Sequence, residues 1–239
     1  MGGGTSDTTE ATVPSTPVDT GTGAGIRADH PGINELFVLL AYGEVAAFYR
    51  LSEEARMAPD LRGRVNMARM AAAEMGHYEV LRKTLERRGV DVLAAMPLYA
   101  PALEKYHRLT TPSTWLEALV KTYVGDAMAA DLYLALAGSL PVEVADVVRA
   151  VLAETVHSQF VVAEVRNAVG SSSRQRSRLA LWSRRLLGEA ITQAQYVLAD
   201  RDELADLVLA GSGGLGQLSE FYDRLQRTHG ERMNNLGLL

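Results

Sequence analysis

Apolar residues recur at helical spacing along most of the chain after residue 30, and the breaks between these stretches define predicted helices. The first predicted helix begins at Pro31, which suits a first helical position, and ends before Pro59. The second follows Asp60, a favourable N-terminal cap, and ends near Arg88, where Gly89 stops it. A short turn joins the two helices, so we expect them to form an antiparallel hairpin.

Four more helices are predicted after a proline-containing segment, residues 90–111, which we interpret as a long crossover with one short helix. The third and fourth helices are again joined by a short turn and form a second hairpin. This connectivity predicts an all-α, antiparallel four-helix bundle over residues 31–169, with two additional helices packed outside it. The four helices run from Thr111 to about Ala137, from Pro141 to about Val169, from about Arg174 to Leu209, and from about Leu215 to Leu236.

The first 28 residues contain mostly Gly, Thr, Ser and Pro and have little to bury, so we predict a disordered tail. Residues 29–239 then form a single helical domain, with extra helices over about 174–236. The tail lacks the apolar region of a signal peptide, and no apolar run is long enough to span a bilayer. We therefore expect a cytoplasmic protein that does not enter the membrane.

Composition limits the chemistry that the chain can support. There is no cysteine, which excludes disulfides, thiolate catalysis, zinc–thiolate sites and iron–sulfur clusters. Any bound metal must be held by imidazole and carboxylate groups. The net charge of −5 argues against a general electrostatic nucleic-acid binder but leaves room for a local basic patch.

The pattern Ala-Glu-x-x-His occurs twice, at Glu74 and His77 and again at Glu154 and His157. Glu and His three positions apart lie on one face of a helix, so both can reach one point beside it. Both pairs lie within apolar stripes. A buried carboxylate must be paired or bound to a metal, and the helices offer few basic residues at apolar positions.

A third match, Glu104-Lys-Tyr-His107, lies in the crossover among charged residues. Composition alone makes a chance match of this kind unsurprising. We interpret this pair as solvated and without a metal.

Each of the two apolar-stripe motifs follows an acidic residue on the preceding helix. Glu44 precedes Glu74 by 30 residues, and Asp126 precedes Glu154 by 28. A glycine stands directly before each of these acids, at Gly43 and Gly125. The chain therefore looks like a duplicated helical hairpin in which each copy carries an acid, a turn and Glu-x-x-His.

Six predicted metal ligands follow from this pattern. Their four carboxylates would balance the charge of two divalent ions in a low-dielectric core. Oxygen and imidazole donors suit iron or manganese better than zinc or copper. Buried structural polar groups are the alternative interpretation. The six residues are Glu44, Glu74, His77, Asp126, Glu154 and His157.

At these residues the sequence resembles the ferritin-like di-iron carboxylate superfamily, over about residues 31–169. One departure is Asp126, where many members have glutamate, and it leaves open whether this residue bridges the metals or binds one of them. In overall pattern the chain is most similar to the group of tRNA-modifying hydroxylases named after the enzyme that hydroxylates 2-methylthio-isopentenyl-adenosine.

The resemblance implies a non-haem di-iron monooxygenase or hydroxylase with two iron ions, although manganese or a mixed manganese–iron pair stays open. Dioxygen would be a substrate, and electrons would come from an external reductase or ferredoxin, because the chain has no flavin or nicotinamide motif. Ferroxidase or other iron handling is the main alternative. Manganese catalase chemistry and a binding protein without metal chemistry are two others, and a homodimer is left open.

A tRNA substrate needs a basic surface, and one arginine-rich segment could supply it through phosphate contacts, with Trp182 stacked on a base. The alternative, which we favour for Trp182, is packing against the bundle, and the arginines could equally be a solvated helix face. The arginines are Arg174, Arg176, Arg178, Arg184 and Arg185.

Overall fold

The structure is a computed structural model that describes residues 1–2, 25–152, 158–212 and 214–239, without the side chains at positions 126, 132, 134, 135, 158, 212 and 215–218. The described residues form α-helices and short 3-10 helices and include no strand, which confirms the all-α class. None of these helices is long and apolar enough to cross a membrane. The α-helices are α1 (Pro31–Glu54), α2 (Leu61–Arg87), α3 (Val92–Ala95), α4 (Ala100–Leu109), α5 (Trp115–Ala137), α6 (Val142–Val151), α7 (Ser158–Gly170), α8 (Ser173–Asp200), α9 (Asp202–Ser212) and α10 (Leu215–Asn235).

Local capping sets the bounds of α1 and α2 as the sequence predicts. The His30 imidazole accepts a hydrogen bond from the Gly32 N–H at the start of α1, and the Asp60 carboxylate accepts one from the Gly63 N–H at the start of α2. Gly89, with a positive φ of 75°, follows the end of α2. The two helices pack along each other and form the first hairpin.

The crossover contains two α-helices, α3 and α4, joined by the 3-10 helix Met96–Leu98, so the expectation of one short helix was wrong. Helix α4 packs against α1 and α8. A Cβ at Gly43 would meet the Leu103 side chain at 3.9 Å, and a Cβ at Gly125 would meet the Tyr106 hydroxyl at 3.7 Å. The two glycines that precede the predicted acidic ligands therefore both lie beside α4.

Helix α5 begins at Trp115, after the predicted opening at Thr111-Pro112, because hydrogen bonds of Thr114 and Glu117 cap its start. The Thr114 hydroxyl accepts from the Glu117 N–H, and the Glu117 carboxylate accepts from the Ser113 N–H. Helix α5 packs against α1, α6 and α7, and α2 packs against α6. These contacts confirm the predicted four-helix arrangement, in which α6 and α7 occupy the span of the fourth predicted helix.

The fifth predicted helix is two helices, because the backbone at Arg201 is extended (φ −136°, ψ 88°) between α8 and α9. No glycine or proline marks this break. The Arg201 guanidinium lies over the Tyr99 ring, 5.3 Å from its centre, so the break coincides with a contact to the crossover. Helix α8 packs against α4 and α5, and α9 packs against α1 so closely that a Cβ at Gly32 would lie 2.2 Å from the Glu203 carbonyl oxygen.

Candidate metal centre

Three of the predicted ligands meet between the first two helices of the bundle. Glu44 comes from α1, and Glu74 and His77 come from one face of α2. Ala41 and Ala71, one turn before Glu44 and Glu74, are buried in the apolar stripes of the two helices. The same periodicity that buries these stripes therefore turns the acids and the imidazole into the bundle.

The geometry of this group suits a single ion. The Nδ1 atom of His77 lies 3.4 Å from a carboxylate oxygen of Glu44 and 3.4 Å from one of Glu74. One ligand atom from each residue lies within 4.8 Å of the others. Adjacent ligands about 2.1 Å from a six-coordinate ion are roughly 3 Å apart, so only small side-chain movements would complete the coordination.

Burial and mutual contact shift the ionisation of all three groups. Burial raises the pKa of Glu44 to about 8. Burial also acts to raise the pKa of Glu74, but hydrogen bonds with His77 and Glu44 outweigh it and leave this pKa below its usual value. Hydrogen bonds to the two carboxylates raise the pKa of His77 to about 10. The cluster therefore favours positive charge between its carboxylates, which a metal ion would supply.

Helix α5 packs against α1, the helix that carries Glu44. Burial and, to a smaller extent, the charge of Glu44 raise the pKa of Tyr133 on α5. Asp126 lies on the same helix, but its side chain is outside the described part of the structure. Glu154 and His157 fall within residues 153–157, which also lie outside the described residues. The second half of the six-residue set stays a prediction.

The two residues of the third Glu-x-x-His match, Glu104 and His107, lie in different environments. Glu104 is exposed, as expected, and accepts a hydrogen bond from the Tyr42 hydroxyl at 3.0 Å. The prediction of a solvated His107 was wrong. Burial, with help from the charges of Arg50 and Lys121, lowers the pKa of His107 to about 3.

A buried charge cluster on α1 and α5 was missed by sequence reasoning. The Arg50 guanidinium contacts Glu54 at 3.1 Å and donates to the Thr122 hydroxyl at 3.0 Å. The Lys121 ammonium lies 3.9 Å from the other oxygen of Glu54. The buried side chains of Arg50 and Lys121 therefore pair with Glu54, and among the described residues neither forms an ion pair with Glu44 or Glu74. The only local sign of this charge cluster in the sequence is the spacing of Arg50 and Glu54, which are four positions apart. The same spacing also occurs on ordinary exposed helix faces.

The arginine-rich segment is partly used in packing. Arg178 pairs with the Glu117 carboxylate at 2.9 Å, and Arg185 donates to the Leu109 carbonyl oxygen at 2.6 Å. The Trp182 indole N–H donates to the Glu117 carbonyl oxygen at 2.9 Å, which confirms that this tryptophan packs against the bundle. These contacts join α8 to the start of α5 and to the end of α4.

Comparisons with known proteins identify the fold family of the chain without indicating a reaction. Among curated proteins, none matches it. A family model described as a ferritin-like domain of actinomycetes matches residues 29–211, which include α1 to α8 and nearly all of α9. The match covers most of the chain and contains the Glu44–Glu74–His77 cluster. The protein therefore belongs to this family of ferritin-like domains from actinomycetes.

Proposed function

We propose that the protein is a non-haem di-iron oxidoreductase that activates dioxygen to hydroxylate an organic substrate. The observation that carries the proposal is the position of the His77 Nδ1 atom, 3.4 Å from an oxygen of the buried Glu44 carboxylate and 3.4 Å from one of the partly buried Glu74 carboxylate. Within the described residues, neither Glu44 nor Glu74 forms an ion pair with lysine or arginine. Carboxylate oxygen and imidazole nitrogen are donors that fit iron or manganese.

In this proposal Glu44, Glu74 and His77 hold one ion, and Asp126, Glu154 and His157 complete a site for two. When bound, the two ferrous ions would supply the electrons that dioxygen needs. An external reductase or ferredoxin would then return electrons to the site. The overall reaction consumes one dioxygen, two electrons and two protons and yields hydroxylated substrate and water. The buried Tyr78 and Tyr133 side chains help to keep bulk water away from the cluster.

The tRNA form of the proposal depends on Arg174 and Arg184, which are exposed on α8. Arg178 and Arg185 contact neighbouring helices, and Trp182 is held by Glu117, which leaves a smaller surface for phosphate groups. Mass spectrometry of tRNA nucleosides from a deletion strain tests this form. Loss of a hydroxylated nucleoside supports it, whereas an unchanged nucleoside profile leaves a small molecule or lipid as the substrate.

Metal analysis tests the site itself. We expect close to two iron or manganese ions per wild-type chain, and loss of at least one of them in Glu74→Ala and His77→Ala. Glu104→Ala is the matched control, because it removes the exposed glutamate of the third Glu-x-x-His match. If Glu104→Ala loses metal as readily as Glu74→Ala, the assigned site is wrong.

Oxygen consumption separates the hydroxylase from a ferroxidase. A hydroxylase should consume little dioxygen with the iron-loaded protein alone and should need both an electron donor and a substrate for sustained turnover. A ferroxidase should oxidise added ferrous iron continuously without a reductase. Continuous turnover of free ferrous iron would replace the hydroxylase proposal with iron handling.

A further inference from the structure

A pocket of about 560 Å³ lies on a different face of α1 from the metal cluster, between α1, α4 and the first half of α5. Its volume is within the usual range for small-molecule sites. Apolar surface of its wall comes from Tyr42 and Ala46 of α1, from Met57 of the 3-10 helix Ala55–Met57 that follows α1, and from Pro112. The pocket therefore combines an apolar wall with the buried charges on α1 and α5.

Two buried polar groups of the lining lack hydrogen-bond partners among the described residues. Lys121 is only 2% exposed, and its nearest carboxylate, Glu54, is 3.9 Å away, beyond hydrogen-bond distance. That carboxylate already accepts from Arg50. The Nδ1 atom of His107 is buried and also makes no hydrogen bond. The Lys121 ammonium also lies over the Tyr106 ring, 5.7 Å from its centre, but neither this contact nor the one with Glu54 is a hydrogen bond. A buried ammonium and a buried imidazole nitrogen without hydrogen bonds are costly, so both would gain from an acceptor in the pocket.

The exposed outer end of the pocket carries more acidic than basic side chains, unlike the inner end beside Lys121. Glu53 and Glu104 are exposed acids on its lining, and Arg108 is an exposed base there. Tyr49, 64% exposed, adds an aromatic ring. The two carboxylates at the outer end disfavour ligands with several negative charges, such as phosphate esters.

We propose that this pocket binds a small molecule that carries one carboxylate on an apolar body. The carboxylate would accept hydrogen bonds from the Lys121 ammonium and the His107 imidazole, and the body would lie against Tyr42, Ala46 and Met57. This site is separate from the Glu44–Glu74–His77 cluster and does not need a metal. A negative result for this binding site would therefore leave the oxidoreductase proposal unaffected, and the reverse also holds.

Binding should couple to proton uptake. Burial, followed by the charge of Arg50, lowers the pKa of Lys121 to about 7, while Glu54 acts in the opposite direction. Two further titratable side chains of α4 face Lys121: the Tyr106 ring lies 5.7 Å from its ammonium, and His107 stays neutral because burial lowers its pKa to about 3. A bound carboxylate would raise the pKa of Lys121, so at pH 7.5 the complex should hold more protons than the free protein.

Isothermal titration calorimetry with the full chain tests the proposal, first as purified and then after metal removal. The probes are phenylacetate and octanoate, their uncharged amides, and inorganic phosphate. We expect at least one carboxylate to bind ten times or more tighter than its amide, with or without metal, and phosphate not to compete. Titrations in buffers of different ionisation enthalpy should show proton uptake at pH 7.5.

Two substitutions locate the binding. Lys121→Met should weaken carboxylate binding at least tenfold and abolish proton uptake, and its similar length keeps the buried position filled. Lys83→Met is the matched control at an exposed lysine outside the pocket and should bind as the wild type does. The proposal is overturned if neither carboxylate binds, if the amides bind as tightly, or if Lys121→Met binds like Lys83→Met.

Discussion

Helix α1 carries two buried glutamates, Glu44 and Glu54, whose surroundings differ in the cations that face them. Glu44 faces His77 and a second carboxylate, Glu74, across the interface with α2. Glu54 faces Arg50 and, across the interface with α5, Lys121. One cluster has two carboxylates and one imidazole, whereas the other has one carboxylate and two strongly basic groups.

This difference distinguishes Glu54, whose carboxylate supports the fold, from Glu44, whose carboxylate is available to bind a ligand. A buried carboxylate beside arginine and lysine has its charge compensated within the chain. Among the described residues, the buried Glu44 and the partly buried Glu74 have only the imidazole of His77 as an ion-pair partner. Burial, with a smaller contribution from Glu74, raises the pKa of Glu44 to about 8. Burial of an acid alone therefore does not indicate a metal site, but burial without an arginine or lysine partner favours one.

The largest expected effect comes from breaking the second cluster. Glu54→Ala should lower the free energy of unfolding by about 3 kcal/mol, because it leaves the Lys121 ammonium buried without a nearby carboxylate. Chemical denaturation measures this change. Glu53→Ala, at the exposed neighbouring position, should change the free energy of unfolding by less than about 0.5 kcal/mol. Equal effects of the two substitutions would contradict the buried charge cluster.

The Glu44–Glu74–His77 cluster should respond in the opposite way, because substitution there should affect metal binding more than stability. Glu44→Gln should weaken iron binding at least tenfold, about 1.4 kcal/mol, because an amide cannot replace an anionic ligand. The metal-free protein should change its free energy of unfolding by less than about 1 kcal/mol, since His77 keeps its contact with Glu74. Iron titration and denaturation of the metal-free protein measure the two quantities. A destabilisation as large as that of Glu54→Ala would remove the distinction between the clusters.

A pH series sharpens the role of Lys121. Its pKa is about 7 in the folded protein against 10.5 when unperturbed, so between these values the unfolded chain binds more protons. Lys121 should therefore increase the free energy of unfolding as pH rises from about 7 to 10.5, by at most about 1.4 kcal/mol per pH unit. Urea denaturation from pH 7 to 9.5 measures the slope, which should be smaller in Lys121→Met. An unchanged slope would show that Lys121 titrates normally.

The smallest expected effect concerns Gly76, which lies between the two ligands of α2. A Cβ there would meet nothing within 4 Å, so Gly76→Ala should raise the free energy of unfolding by about 0.5–1 kcal/mol through better helix propensity. Iron binding should be unchanged because Glu74 and His77 keep their positions. Thermal denaturation and iron titration check both expectations. Lower stability would mean that the helix is packed against something at this position.

Much of the first cluster is predictable because it depends on local spacing. Glu74 and His77 share a helix face whatever surrounds them, and the apolar stripe shows that this face is buried. Placing Glu44 opposite them needs only the short connection between α1 and α2, which forces a hairpin. The second cluster has no comparable signal, because its contacts of Lys121 with Glu54 and of Arg50 with Thr122 join helices that α2 and the crossover separate in sequence.

The sequence by itself determined the all-helical class, the bounds of α1 and α2, and the face of α2 that carries Glu74 and His77. These features depend on proline, glycine, capping groups and periodicity, which act within a few residues. Tertiary structure alone decided that His107 is partly buried, that Lys121 approaches Glu54, and that the backbone breaks at Arg201. Each of these features involves contacts between residues distant in sequence, which leave no local pattern to read.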